Sequence, residues 1–339
     1  MKDFYFKENF IQKLKNLHYF HYENSPDFKK IIDSLNLHST ISSKPEDIFL
    51  HTSLFKNFSL KTKNTFKEEI TLYSSGTSGN QSKIHTDRLT RIEQQRTLHN
   101  LINKELGFCS KNKPSYYVIE SPTIVNERKM DARYAAIKGF STFSKRINFL
   151  LDENYEINYS VLNQLASEEN SIFIFGFTAY VYLYFLKTLK EKNFYFNNKD
   201  ITLLHGGGWK KLQNKGISND KFKHIAKSVF PNVICKNYYG MIEQTGSIFF
   251  ECKSGFLHSN DYGSIVIRDN NLKQTPFGVE GVIQSISTLP KSYPGHSLLT
   301  EDIGVVYGID TCSCGQKGLY FKVKGRLSKS AVRGCSDVY

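Results

Sequence analysis

The chain has 339 residues, 40% hydrophobic and 14% aromatic, with 45 Lys and Arg against 32 Asp and Glu for a formal charge of +13. That composition excludes a disordered chain and allows one large domain or two ordinary ones. The basic excess predicts attraction to anions. No basic block of five or more and no zinc-finger or RNP-type string occurs, so a nucleotide-binding enzyme is the plainer reading and nucleic-acid binding is set aside.

The N-terminus lacks the uninterrupted apolar core of a signal peptide, and no run approaches the length of a membrane span, so a cytoplasmic protein is expected. Six cysteines in a chain this long do not form a disulfide framework, which directs attention to metal or thiol chemistry.

Phe10, Ile11, Leu14 and Leu17 are spaced as one helical face, and Asn24-Ser25-Pro26-Asp27 breaks it. Phe28, Ile31, Ile32 and Leu35 predict a second helix. The apolar alternation at Ile70 and Leu72 leads into Tyr73-Ser74-Ser75-Gly76-Thr77-Ser78-Gly79-Asn80-Gln81-Ser82-Lys83. A turn so dense in hydroxyls and backbone N–H groups, ending in a cation, suits a polyphosphate. Its spacing is wrong for a Walker loop, and taken alone it reads first as an ordinary surface turn.

A helix is predicted over residues 87–106, with Gly107 as its stop. Strands predicted at 171–175, 201–205 and 233–238 alternate with helices, one over 179–192 and one capped by Ser218 or Asn219. That alternation predicts a mostly parallel sheet with functional loops at its carboxyl edge. From about residue 246 short alternating runs separated by Gly, Asp, Asn and Pro turns predict an all-β subdomain. The expected division is 1–245 for a helical arm and α/β core, 246–325 for the β subdomain and 326–339 for a tail.

Four further stretches bear on chemistry. Gly206-Gly207-Gly208 ends a predicted strand and would let a flat ring approach the backbone, though a tight turn is an equal reading. Tyr239-Gly240-Met241-Ile242-Glu243 pairs a stacking aromatic with a carboxylate able to hold Mg²⁺. Thr300-Glu301-Asp302 places carboxylates at a strand-end turn, and Gly325-Arg326 ends the last predicted strand. Each is weak alone; their order along the chain is what carries information.

Taken in order over residues 70–339, these pieces resemble the adenylate-forming (acyl-AMP ligase) superfamily. The stretches from His205 to Lys211 and from Tyr239 to Gly246, Ser292-Tyr293-Pro294-Gly295-His296, and Arg333-Gly334-Cys335-Ser336-Asp337 are similar to its LuxE-type acyl-protein synthetases. The resemblance implies the N-terminal-domain type of that α/β fold, with a β subdomain. It implies ATP-dependent conversion of a carboxylic acid, fatty by family expectation, to acyl-AMP, followed by transfer to a thiol. Ser74, Ser75, Gly76, Thr77, Ser78, Gly79 and Lys83 would hold the triphosphate. Gly206, Gly207, Gly208, Tyr239 and Gly240 would line the adenine pocket, Glu243 would bind Mg²⁺, Asp302 the ribose, and Arg326 would mark the hinge.

Adenylate-forming ligases usually continue past such a Gly-Arg pair into a mobile lid bearing a catalytic lysine. The dozen or so residues after Arg326 imply its absence, as in LuxE-type proteins, and Lys83 or Lys210 is then the expected replacement cation. Cys335 matches the family's acyl-accepting cysteine, from which a partner reductase would receive the acyl group. An acyl-CoA ligase with coenzyme A as acceptor, and a catalytically silent nucleotide-binding protein, are the alternative expectations. Cys252, His258, Cys312 and Cys314 form a Cys₃His set suited to a structural Zn²⁺, with buried free thiols as the other reading, and phenylacetate–CoA ligase-like proteins carry a similar arrangement.

Overall fold

A computed structural model describes residues 6–63, 68–74, 81–109, 111, 113–125, 132–144, 146–196, 200–209 and 216–327. Ser75, Gly76, Thr77, Ser78, Gly79, Lys210 and Cys335 lie outside the described residues. In chain order the described strands are β1 (Leu50–His51), β2 (Ile70–Tyr73), β3 (Lys83–Thr86), β4 (Ser115–Ile119), β5 (Asn148–Phe149), β6 (Ile172–Phe177), β7 (Ile201–Gly206), β8 (Ile234–Tyr239), β9 (Phe249–Phe250), β10 (Leu257–His258), β11 (Gly263–Arg268), β12 (Glu280–Ser287), β13 (Ser297–Ile309) and β14 (Leu319–Arg326).

The chain folds as two compact units, one formed by Gln95–Gly240 and the other by Met1–Gln94 together with Met241–Tyr339. The linear division expected from sequence, with 1–245 as a single block, therefore differs from the spatial one. The N-terminal arm belongs with the β segment because long-range bonds tie it there. Leu50 and His51 pair in parallel with Leu298 and Leu299 of β13. The buried Arg268 guanidinium binds Asp47 Oδ1 at 2.8 Å and the Glu46 carbonyl at 2.7 Å. Pairings across more than 200 residues leave no trace in local hydrophobic periodicity.

In the Gln95–Gly240 unit, β5-β4-β6-β7-β8 lie side by side, all parallel. β4 and β6 are apolar along nearly their whole length, and they and β7, which adds the buried Thr202 and His205, are buried on both faces, as parallel strands covered by helices must be. The helix Asn219–Val229 shows how sequence makes this. Ser218 Oγ caps it by accepting from Lys221 N, and its stripe of Phe222, Ile225, Ala226 and Val229 is buried against the sheet core with Leu203 and Phe185. Burying each such large apolar side chain is worth about 1.5–3 kcal/mol. The parallel register brings Ile119, Phe177, Gly206 and Tyr239 to the carboxyl ends of their strands, so the segments that follow share one edge.

In the other unit β11, β12, β13 and β14 are antiparallel neighbours, and β10 joins β14. β2 and β3 form a separate antiparallel hairpin in which Tyr73 opposes Lys83. The hydroxyl-rich turn therefore bridges two antiparallel strands, whereas the sequence pattern passes directly from the turn to a helix. β3 is short and polar, Lys83-Ile84-His85-Thr86, and its strand character comes from pairing with β2. The helix expected over 87–106 follows as Arg88–Leu106.

Candidate functional site

The β2–β3 hairpin closes its turn at the neck. Ser74 N donates to Ser82 O at 3.1 Å, Ser82 N to Ser74 Oγ at 2.8 Å, and Gln81 Nε2 to Ser74 O at 2.8 Å. Lys83 is exposed beside this neck. Ser82, Ile84 and Thr86 alternate onto the inward face of β3 and are buried, which period-two geometry requires.

Glu243 sits in the short 3₁₀ turn Ile242–Gln244, and its side chain is buried. Its neighbour Gln244 fixes that turn by donating to the Ser285 carbonyl at 3.0 Å and the Gly295 carbonyl at 2.9 Å, while Ser285 Oγ donates back to its Oε1 at 2.6 Å. Tyr293 Oη donates to the Glu243 carbonyl at 2.9 Å. Burial pushes the Glu243 pKa up, against opposing contributions from the Ser82 hydroxyl, its own backbone N–H and the charges of Lys56 and Arg326. Ser82 Oγ lies beside this carboxyl but makes no hydrogen bond of normal geometry. A desolvated carboxylate with a hydroxyl alongside is a reasonable donor set for a hard divalent cation.

Asp302 and Arg326 face each other across β13 and β14, and Arg326 Nε donates to Asp302 Oδ1 at 3.1 Å. Arg326 Nη2 also lies 3.6 Å from Glu301 Oε2, and Lys56 Nζ binds Glu301 Oε1 at 3.2 Å. Short-range spacing does not reveal Lys56, which reads in sequence as one more lysine of a polar stretch; only the fold brings it to Glu301. Thus Ser74, Ser82, Lys83, Glu243, Asp302 and Arg326 all belong to one unit.

Gly206, Gly207, Gly208, Tyr239 and Gly240 belong to the other. A Cβ at Gly206 would lie 2.3 Å from Tyr238 Cε1, so the glycine serves the packing of that ring. Gly207 and Gly208 have φ of +75° and +59°, and a Cβ at Gly208 would meet open space. Thr178 Oγ1 donates to the Gly206 carbonyl at 3.0 Å, so its contact with His205 Nδ1 at 3.0 Å requires the imidazole to donate there. His205 is neutral, because burial lowers its pKa to about 3.

The four metal candidates do meet. Ligand atoms of Cys252, His258, Cys312 and Cys314 all lie within 4.8 Å of one another. Cys252 Sγ and Cys312 Sγ are 3.9 Å apart, too far for a disulfide, and Cys314 Sγ is 3.4 Å from His258 Nε2. Gln316 N donates to Cys314 Sγ at 3.3 Å. These residues form a group that fits a tetrahedral metal ion.

The profile of acyl-protein synthetase, LuxE, matches residues 2–339 of the chain. The protein belongs to the LuxE family. As a LuxE-family protein it is an enzyme of the ligase class. It is 23% identical over 334 residues to a long-chain-fatty-acid–luciferin-component ligase of Vibrio harveyi, covering 95% of this chain and 85% of that one. It is 24% identical over 327 residues to the ligase of the same name from Aliivibrio fischeri, with coverages of 94% and 84%.

Among solved structures, 2-hydroxyisobutyryl-CoA ligase in its postadenylation state with 2-HIB-AMP superposes with a TM-score of 0.69 at 12% identity. That match covers 94% of the LuxE-family chain and 67% of the other. An open form of that enzyme gives a TM-score of 0.68 at 13% identity, covering 93% and 74%. These likenesses establish the adenylate-forming ligase fold. Among the described residues no helix is long and apolar enough to cross a membrane.

Proposed function

We propose that this protein activates a carboxylic acid with ATP and captures the acyl group as a thioester on Cys335. In the first step a carboxylate oxygen attacks the α-phosphorus, and the bond to pyrophosphate breaks. In the second the Cys335 thiolate attacks the acyl carbon and AMP leaves. The observation that carries the reading is the buried Glu243, held by Gln244 and Tyr293 in the same unit as Lys83, Asp302 and Arg326. Charge that accumulates on pyrophosphate needs fixed positive partners, which Lys83 and a cation held by Glu243 would supply. Ser74 to Gly79 would cradle the triphosphate, Asp302 would take the ribose hydroxyls, and Tyr239 with Gly206 to Gly208 would receive the adenine.

Family membership and the printed activity of the two bacterial relatives support a fatty acid as the starting expectation for the substrate. A reductase that consumes the thioester is the corresponding partner, and the cytoplasm the corresponding location. The Cys₃His group would hold a structural Zn²⁺ that staples the turn before β10 to the turn before β14.

The deciding experiment is intact mass after incubation with ATP, Mg²⁺ and a panel of acids. A gain of one acid minus water, removed by hydroxylamine and absent in Cys335→Ser, is the expected result. AMP release that depends on added coenzyme A, without any mass gain, would transfer the protein to the acyl-CoA ligase reading.

A further inference from the structure

The Gln95–Gly240 unit carries a polar cluster that neither the nucleotide nor the thioester step uses. Glu120 directly follows β4, and its side chain is completely buried. Its Oε1 accepts from Ser121 N at 3.0 Å, and its Oε2 lies 3.4 Å from Arg133 Nη1. Arg133 retains 21% exposure, and the same nitrogen donates to Tyr180 Oη at 3.4 Å. The Tyr155 side chain lies beside the Arg133 guanidinium. The rings of Tyr155, Tyr180 and Tyr184 touch one another, with centroids 5.3 to 5.7 Å apart, and Tyr184 is 38% exposed. The cluster thus runs from a sealed carboxylate, through a guanidinium, to an aromatic wall open to solvent.

Three costs coincide here. A buried ion pair can often be replaced by apolar residues without loss of stability, so stability alone is a weak reason for the Glu120–Arg133 pair. Tyr155 has φ of +61°, a conformation disfavoured for a bulky side chain, and is held there by a turn in which Asp152 Oδ1 accepts from Asn154 N and Glu156 N. Immediately after Tyr180 the helix adopts π geometry over Val181–Leu186, a form enriched at functional sites. Gly176 lets this helix close on β4, since a Cβ there would lie 2.6 Å from Val181 Cγ2 and 3.1 Å from Ile119 Cβ. All of this gathers at the carboxyl edge of a parallel sheet, where α/β proteins bind their ligands.

We infer that Arg133, Tyr155 and Tyr180 form a recognition site for a second oxygen function, hydroxyl or carboxylate, on the chain of the acid that is activated. The inference rests on the acid-activating reading and narrows its substrate class. An unsubstituted alkyl chain would strip water from a guanidinium and phenols and return nothing. A hydroxyl or carboxylate would receive donors from Arg133 already oriented by Glu120, with tyrosine rings flanking the chain. Arg133 is a specificity-determining residue here and takes no part in the bond changes.

The test is calorimetric binding, without ATP, of three acids of equal chain length: unsubstituted, ω-hydroxylated and α,ω-dicarboxylic. At least one oxygenated acid should bind about tenfold or more tightly than the unsubstituted one. Arg133→Met should bring that ratio to about one. If Arg133→Met fails to fold by circular dichroism, Tyr180→Phe, which keeps the ring, should still lower the ratio severalfold. Equal binding, tighter binding of the unsubstituted acid, no binding of any, or a ratio unchanged in both variants would overturn the inference. AMP formation is followed separately. AMP released with unsubstituted acid, together with a ratio of one, leaves acid activation standing while this site falls.

Discussion

Tyr293 Oη donates a 2.9 Å hydrogen bond to the backbone carbonyl of Glu243, and both residues are buried. The bond fixes the peptide that carries the carboxylate, and Gln244 anchors the next residue on β12 and on Gly295. Tyr293→Phe leaves that carbonyl without its donor, at a cost of about 1–3 kcal/mol. We expect a lower midpoint in urea and weaker use of Mg²⁺ATP, seen as a raised KM. An unchanged midpoint and KM would mean that the turn holds itself.

Glu243→Gln should separate stability from activity. Because burial raises the Glu243 pKa, the ionised side chain opposes folding at neutral pH, and the neutral amide removes that penalty. The variant should melt at a higher temperature at pH 7 in the absence of Mg²⁺. Acyl-AMP formation should fall by about 10²-fold or more. A variant that melts lower and retains activity would remove Glu243 from the site.

Arg326→Ala tests the opposite combination. Its ion pair with Asp302 involves an arginine that is 53% exposed, and pairs so solvated contribute about 0–1 kcal/mol. Denaturation should therefore barely move, while turnover drops at least about tenfold. Loss of stability in proportion to activity would mark Arg326 as a structural residue.

His18, His21 and His296 form a buried imidazole cluster whose acid response has a definite sign. His296 Nε2 lies 2.8 Å from His18 Nδ1, and the rings of His21 and His296 stack at 4.5 Å. His18 Nε2 and His21 Nε2 face the Pro45 and Pro290 carbonyls, which makes both of them donors there. Burial lowers the pKa of His18 to about 4, of His21 to about 3, and of His296 well below the ordinary value.

The folded state therefore binds fewer protons than the unfolded state below pH of about 6.5. The stability these residues contribute is complete above that value and is lost as pH falls toward 4. Three such groups give a slope of up to about 4 kcal/mol per pH unit. Thermal midpoints measured from about pH 7.5 to 4.5 should fall steeply below about 6.5, and His296→Gln should flatten the curve by about one proton. A flat profile would disprove the burial of these rings.

Metal analysis of protein purified without chelator should find one zinc per chain. Cys314→Ser should reduce the content and lower the melting temperature, since a structural site contributes its binding energy to folding. Metal-free protein with an unaltered melt would leave four unligated side chains.

Much of this was legible in the sequence where the signal is local. The helix stripe at Phe222, Ile225, Ala226 and Val229, the apolar runs of β6 and β7, and the Cys and His spacing each follow from short-range periodicity or side-chain chemistry. What the sequence could not decide was partnership across distance. Whether Lys56 meets Glu301, whether His18 meets His296, and which unit the N-terminal arm joins all depend on strand register and packing. The same holds for Glu120 and Arg133, whose contact only the fold brings about. Desolvation in the folded interior gives those two their chemical meaning, because only there does a charge require a specific partner.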